Sequence, residues 1–167
     1  MIDLLKRACV PLAAATITAA VAATSAAGES HKTTISFTLG SRGTAGTTYR
    51  TQRGLTHTYP GKLQTGDQIF SQDTLLDGTK EIGYGNEVCT VTFDGNDLCN
   101  TVAVFPGKGE VYTTWLWIGR NNSYLGPRHF GGVIDGGTGT YTNATGHFDA
   151  TVDSNGTLQF TATLNRG

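Results

Sequence analysis

FGGVIDGGTGTYTNATGHFDATV, residues 130–152, packs Gly and Thr into a short span and raises three readings: a phosphate cradle, a linker, or a corner between strands. The phosphate reading requires G-x-G-x-x-G between a strand and a helix; after Gly137 and Gly139 the third position is Thr142, and no helical period follows. The linker reading requires a stretch without hydrophobic register. Val133 and Ile134 stand before the glycines, Tyr141 among them, and Phe148 and Val152 after them. A strand, a glycine corner plugged by Tyr141 and a second strand remain, with Gly136, Gly137 and Gly139 supplying positive φ or close backbone approach.

The same grammar runs through the rest of the chain. From Thr33 to Leu164, β-branched and aromatic residues alternate with polar ones, and Gly, Asp and Asn interrupt them every eight to twelve residues. The pattern predicts strands over 33–39, 48–59, 67–76, 81–93, 99–105, 110–119, 129–135, 146–152 and 158–164. LDGTKE, FDGND, FPGKGE and DSNGT have the chemistry of hairpin turns, so neighbours in sequence should pair antiparallel. An all-β meander of this size loses its exposed edges most simply by closing into an eight-stranded barrel, whose interior has room for one small ligand.

The first residues are different. Lys6 and Arg7 precede an Ala-rich apolar run, Ala8 to Ala23, that ends in small residues, the layout of an export signal. Residues 1–27 are read as a removed signal peptide and 28–167 as one barrel domain, secreted to an extracellular or periplasmic space. Without Asp3, Lys6 and Arg7, ten basic residues face twelve acidic ones, scattered in sequence. That balance gives no attraction to nucleic acid or, after signal removal, to a membrane.

Loss of Cys9 with the signal leaves Cys89 and Cys99, an even pair in an oxidising compartment. They flank TVTFDGNDL, a strand followed by an Asp-Gly turn, so a cross-hairpin disulfide is expected. The four histidines, His31, His57, His129 and His147, lack partners at ligand spacing, and no P-loop or nucleophile-elbow motif occurs. Neither a metal nor an organic cofactor is expected.

GVIDGGTGTYTNATG resembles the G-G-T-G-x-Y/F…A-x-G signature of dirigent proteins, whose barrel is shared with the allene oxide cyclases. GDQIFSQDTLLDGTKEIGYGNEVCTVTF is similar to the G-D…L-D…G…V/I-G…C stretch of that group, and GEVYTTWLWIG occupies the place of its G-x-I/L…G strand. The resemblance runs from Lys32 to Leu164. It implies an antiparallel up-and-down barrel that self-associates as a homo-trimer or homo-dimer. It also implies a lumen that receives a small hydrophobic reactive intermediate and steers its stereoselective cyclisation, isomerisation or coupling. Where the plant cyclases carry a first-strand glutamate, this chain has Ser36, Phe37 and Thr38; the A-R-G triplet of plant dirigents reads Ala144, Thr145, Gly146.

Such chemistry calls for a carboxyl of raised pKa, a phenol or guanidinium to meet developing negative charge, and aromatic walls. The candidate catalytic residues are Asp73, Glu87, Tyr84 and Arg120; the candidate ligand contacts are Trp115, Trp117 and Tyr141. Glu87 shares a strand face with Cys89, Val91 and Phe93, and is a buried carboxyl if that face is the lumen, a solvated charge if not. Asp73 lies in register with Ile69, Ser71 and Leu75. Tyr84 stands between two glycines, and Arg120 opens the polar loop RNNSYLGPRHF. Two functions stay open on the residues alone: a cofactor-free, cyclase-like enzyme, or a non-catalytic, lipocalin-like binder of a small apolar molecule.

Overall fold

A computed structural model describes residues 31–41, 47–118, 129–154 and 157–166. Residues 1–27, read from sequence as an export signal, lie outside them. Among the described residues ten strands occur: β1 His31–Ser41, β2 Thr48–Thr51, β3 Gly54–Thr56, β4 Gln68–Asp77, β5 Lys80–Val91, β6 Asp97–Phe105, β7 Gly109–Trp117, β8 His129–Gly137, β9 Thr145–Val152 and β10 Leu158–Arg166. Every pairing is antiparallel, and β1 bonds to both β10 and β4. Eight strands therefore close on themselves in the order β1-β10-β9-β8-β7-β6-β5-β4. Closure removes the edges that an open meander would leave unpaired.

Alternation decides what the barrel encloses. Along β1, Ile35, Phe37 and Leu39 pack towards the core while Lys32, Thr34 and Ser36 are exposed. Facing strands repeat the pattern: Phe160 and Ala162 on β10 oppose Phe37 and Ile35 on β1, and Phe148 on β9 opposes Ala162. The outer surface is held by polar cross-strand pairs such as Gln72 with Asn86 at 2.7 Å, which contribute little beyond register.

One expected strand is divided. Residues 48–59 read as a single strand from alternation, but the chain turns back after Thr51 and forms the short β2–β3 hairpin, with β2 paired to β4 beyond the end of β1. Gly54 adopts φ +113°, and the Thr51 hydroxyl accepts the Arg53 amide proton at 3.1 Å. A local turn with its own hydrogen bond outcompetes the weak alternation of TYRTQRGLT. Likewise, β5 ends at Val91, and Phe93 falls in the following turn, 98% exposed.

The stretch 130–152 forms β8, a single 3-10 turn at Gly139–Tyr141 and β9. Gly139 has φ +57°, a conformation that side chains with a Cβ adopt at a cost, and a Cβ there would also crowd the backbone of Lys108 and Gly109. The corner leaves few donors idle. Thr140 N–H reaches Lys108 O at 2.6 Å, the Thr142 hydroxyl reaches Gly139 O at 2.8 Å, and Ala144 N–H reaches Tyr141 O at 2.9 Å. Tyr141 turns inward against Phe105, ring centroids 5.5 Å apart, and is 5% exposed. With Ala144, Ile134, Val111 and Leu164, it forms the apolar floor of one barrel end.

Candidate functional site: an acidic wall in the barrel lumen

Above that floor the barrel is hollow. The space between its walls, counting what opens to solvent, is about 590 Å³, of which about 50 Å³ admits the centre of a water molecule. The lumen is thus narrow. Its walls include Phe37, Phe105, Trp115, Phe148 and Phe160, and nearly all of its surface is apolar. Gly132 on β8 makes this packing possible, because a Cβ there would lie 2.5 Å from the Phe148 ring and 2.6 Å from the Trp115 Cβ. Trp115 stacks on Phe130, centroids 4.6 Å apart, and Phe37 on Phe160 at 5.3 Å.

Glu87 is the ionisable side chain that lines this cavity. The face of β5 carrying Glu87 and Cys89 is therefore the luminal one, and the position is built by three neighbouring strands. Cys89 pairs with Cys99 across β5 and β6, with a disulfide of 2.00 Å and Cα atoms 4.0 Å apart. Two residues further along each strand, on the same face, Glu87 faces Thr101; on its other side it faces Ser71 of β4. The Thr101 hydroxyl donates to Glu87 Oε2 at 3.0 Å, and the Ser71 hydroxyl donates to Oε1 at 3.4 Å. Trp115 Nε1–H donates to Thr101 Oγ1 at 3.2 Å, which aims the threonine proton at the carboxylate.

Burial in the apolar lumen pushes the Glu87 pKa from 4.5 up to about 7, against the opposing pull of the Thr101 and Ser71 hydrogen bonds and with help from the charges of Asp73 and Asp97. Asp73 is itself raised by burial. It stands on the luminal face of β4 opposite Gly85, which has no side chain to fill the neighbouring space. Asp97 is 3% exposed and shares the face of Cys99 and Thr101. Three carboxyls thus belong to one side of the barrel, formed by β4 to β6.

The Cys89 sulfur lies 3.4 Å from Glu87 Oε1, and Glu87, Cys89 and Cys99 present their ligand-type atoms within 4.8 Å of one another. With both sulfurs engaged in the disulfide, neither has a proton to give nor the thiolate charge that metal binding needs, so the cluster offers one ligand, the carboxylate.

The other sequence candidates are distributed differently. Tyr84 lies on the face of β5 opposite Glu87, pairing with Thr74 and Val104. Trp115 lines the lumen; Trp117 packs beside it, centroids 5.6 Å apart, at the end remote from the Tyr141 floor. Tyr141 seals the floor rather than lining the cavity, and burial raises its phenol pKa while the Arg166 charge opposes. Arg120 lies outside the described residues. Reasoning from sequence did not single out Thr101, Asp97, Phe148 or Phe160. The first two were within reach, because a Cys89–Cys99 pair fixes the β5–β6 register and places Thr101 opposite Glu87 and Asp97 opposite Val91.

Solved structures share this architecture. A pyocyanin demethylase superposes with TM-score 0.59 at 20% identity, over 79% of this chain and 99% of its own. The likeness is one of barrel fold. A pterocarpan synthase dirigent protein superposes with TM-score 0.62 at 14% identity, over 83% of this chain and 87% of its own. No protein-family model matches the chain, and no curated protein does. At these identities the dirigent-type likeness carries the fold, and the reading of the site rests on the lumen's own residues.

Proposed function

We propose that this dirigent-like barrel binds a small hydrophobic reactive intermediate in its lumen and steers its cyclisation, isomerisation or coupling, with Glu87 moving the proton and no organic cofactor. The observation that carries this reading is the Glu87 carboxyl, hydrogen-bonded by Thr101 and Ser71 in an otherwise apolar cavity and titrating at about 7. A carboxyl of that pKa is present in both protonation states near neutrality and so can accept and return a proton in one turnover. The narrow aromatic walls supply the second requirement, since a floppy molecule confined there loses conformational freedom and water before it reacts. The names of the two structural relatives, a demethylase of pyocyanin and a pterocarpan synthase, support a barrel of this kind handling small ring compounds.

The protein is read as exported, with residues 1–27 as the signal, 28–167 as the working domain and self-association into dimers or trimers; the Cys89–Cys99 disulfide is compatible with an oxidising compartment. Mass spectrometry of small molecules that co-purify with the native protein identifies the compound, which is then converted by wild type and by Glu87→Gln. The expected result is loss of about a hundredfold in rate and of stereoselectivity, the scale of one general acid-base group. Unchanged rate and product stereochemistry in Glu87→Gln overturn the role of Glu87, and no conversion by wild type overturns the reading and leaves a non-catalytic carrier.

A further inference from the structure

The lumen has two unlike walls. Every polar side chain that lines it, Glu87, Thr101, Thr113 and the Trp115 indole N–H, comes from β5 to β7. The facing strands β1, β9 and β10 contribute Ile35, Phe37, Leu39, Phe148, Phe160 and Ala162, none of which has a polar atom beyond the backbone. The polar wall is also one-signed. Asp73 and Asp97 add their charge to that of Glu87, and no Lys, Arg or His is among the described residues that line the cavity. The guanidinium of Arg166 is engaged elsewhere, on Thr33 and the Thr140 carbonyl beside the Tyr141 floor.

This asymmetry selects a ligand by charge as well as by shape. A flat ring system entering the lumen would meet the Phe37 and Phe160 rings and Trp115, which offer it apolar area and ring faces. A basic nitrogen on its edge would meet the Glu87 carboxyl, and the pair would hold one proton between them, as a neutral acid with a neutral base or as carboxylate with cation. Cationic character is also favoured by the ring faces. An anionic ligand would be desolvated against three acids with no countercharge, which is discrimination by an unpaired charge. We propose that the lumen selects flat aromatic ligands bearing a weakly basic or cationic nitrogen, against anionic ones, with Glu87 as the nitrogen's partner. This rests on the reading of the lumen as the ligand site and assigns the ligand's chemical class.

Three bicyclic probes of one shape separate the possibilities: isoquinoline (weakly basic), naphthalene (neutral) and 2-naphthoate (anionic). Their affinities for the full mature protein at pH 7 are measured by equilibrium dialysis, with circular dichroism confirming that each variant is folded. Isoquinoline should bind at least about tenfold more tightly than naphthalene, the worth of one charge-assisted hydrogen bond, and 2-naphthoate most weakly. In Glu87→Gln the advantage of isoquinoline over naphthalene should shrink to within about threefold while naphthalene affinity holds. An order led by 2-naphthoate, or an isoquinoline advantage that survives Glu87→Gln, overturns the proposal. Equal binding of naphthalene and isoquinoline overturns the charge preference yet leaves the lumen as a ligand site; absence of binding by all three overturns both.

Discussion

The Tyr141 floor and the Glu87 wall lie in one barrel and are built on opposite principles. At the floor, Tyr141, Leu164 and Ala144 are buried and the corner's backbone donors at Thr140, Thr142 and Ala144 find acceptors, so sequence, conformation and packing agree. At the wall, a carboxyl is held in apolar surroundings that raise its pKa to about 7, beside two more acids. That arrangement opposes folding at neutral pH. A protein keeps such a group where it serves something other than stability, which is why the wall, not the well-packed corner, is the candidate site.

The comparison breaks first at the floor. Tyr141→Ala removes a ring that is 5% exposed and opens the barrel end, so it should cost about 3–5 kcal/mol in denaturant unfolding. A loss below about 1 kcal/mol would show that Tyr141 does not seal the floor.

Glu87→Gln should have the opposite sign at alkaline pH. Its folded-state pKa, about 7, lies above the ordinary 4.5, so the stability of the folded protein is full below 4.5 and is lost as pH rises through 7. The neutral variant escapes that loss and should be more stable than wild type at pH 8 by up to about 3 kcal/mol, with no advantage at pH 4. Asp73, also raised by burial, leaves a residual slope of the same direction in both proteins. Equal stability curves for the two proteins between pH 4 and 8 would place Glu87 in solvent.

Replacing both Cys89 and Cys99 by Ala should lower stability by about 2–3 kcal/mol through release of a short loop. The Cys89 sulfur also stood against Glu87 Oε1, so a change in the Glu87 titration should accompany the stability loss, whereas Tyr141→Ala leaves that titration in place. Carbon-13 chemical shifts of the carboxyl read both.

What the sequence made legible follows this division. The corner could be read from FGGVIDGGTGTYTNATG because its constraints are local: a positive-φ glycine, an inward tyrosine, strands on either side. The barrel and the disulfide followed from alternation and turn chemistry, which are also local. The break at Thr51 was not legible, since one threonine hydrogen bond decided against a pattern that continued to residue 59. The face of Glu87 was undecided for a physical reason: period two says which residues go together but not which side is inside. Only closure of β1 onto β4 settles that, and closure depends on pairings between residues about 35 apart. Phe148 and Phe160 come from yet more distant strands and carry no local mark.

Thr101→Val is the finest test of the wall. The hydroxyl holds Glu87 Oε2 at 3.0 Å and accepts the Trp115 indole proton at 3.2 Å, so it joins the acid to the aromatic wall. Valine keeps the shape and removes both bonds. Loss of a donor to the charged form should raise the Glu87 pKa further above 7, so that the loss of stability with rising pH still begins near 4.5 but extends to higher pH and becomes larger. The Trp115 N–H is left without its acceptor, at a cost of about 1–3 kcal/mol that is independent of pH. Thr101→Ser restores both bonds and should restore the titration. A Glu87 pKa that stays fixed in Thr101→Val would mean that burial alone sets the acid, and that the Trp115–Thr101 chain only fills space.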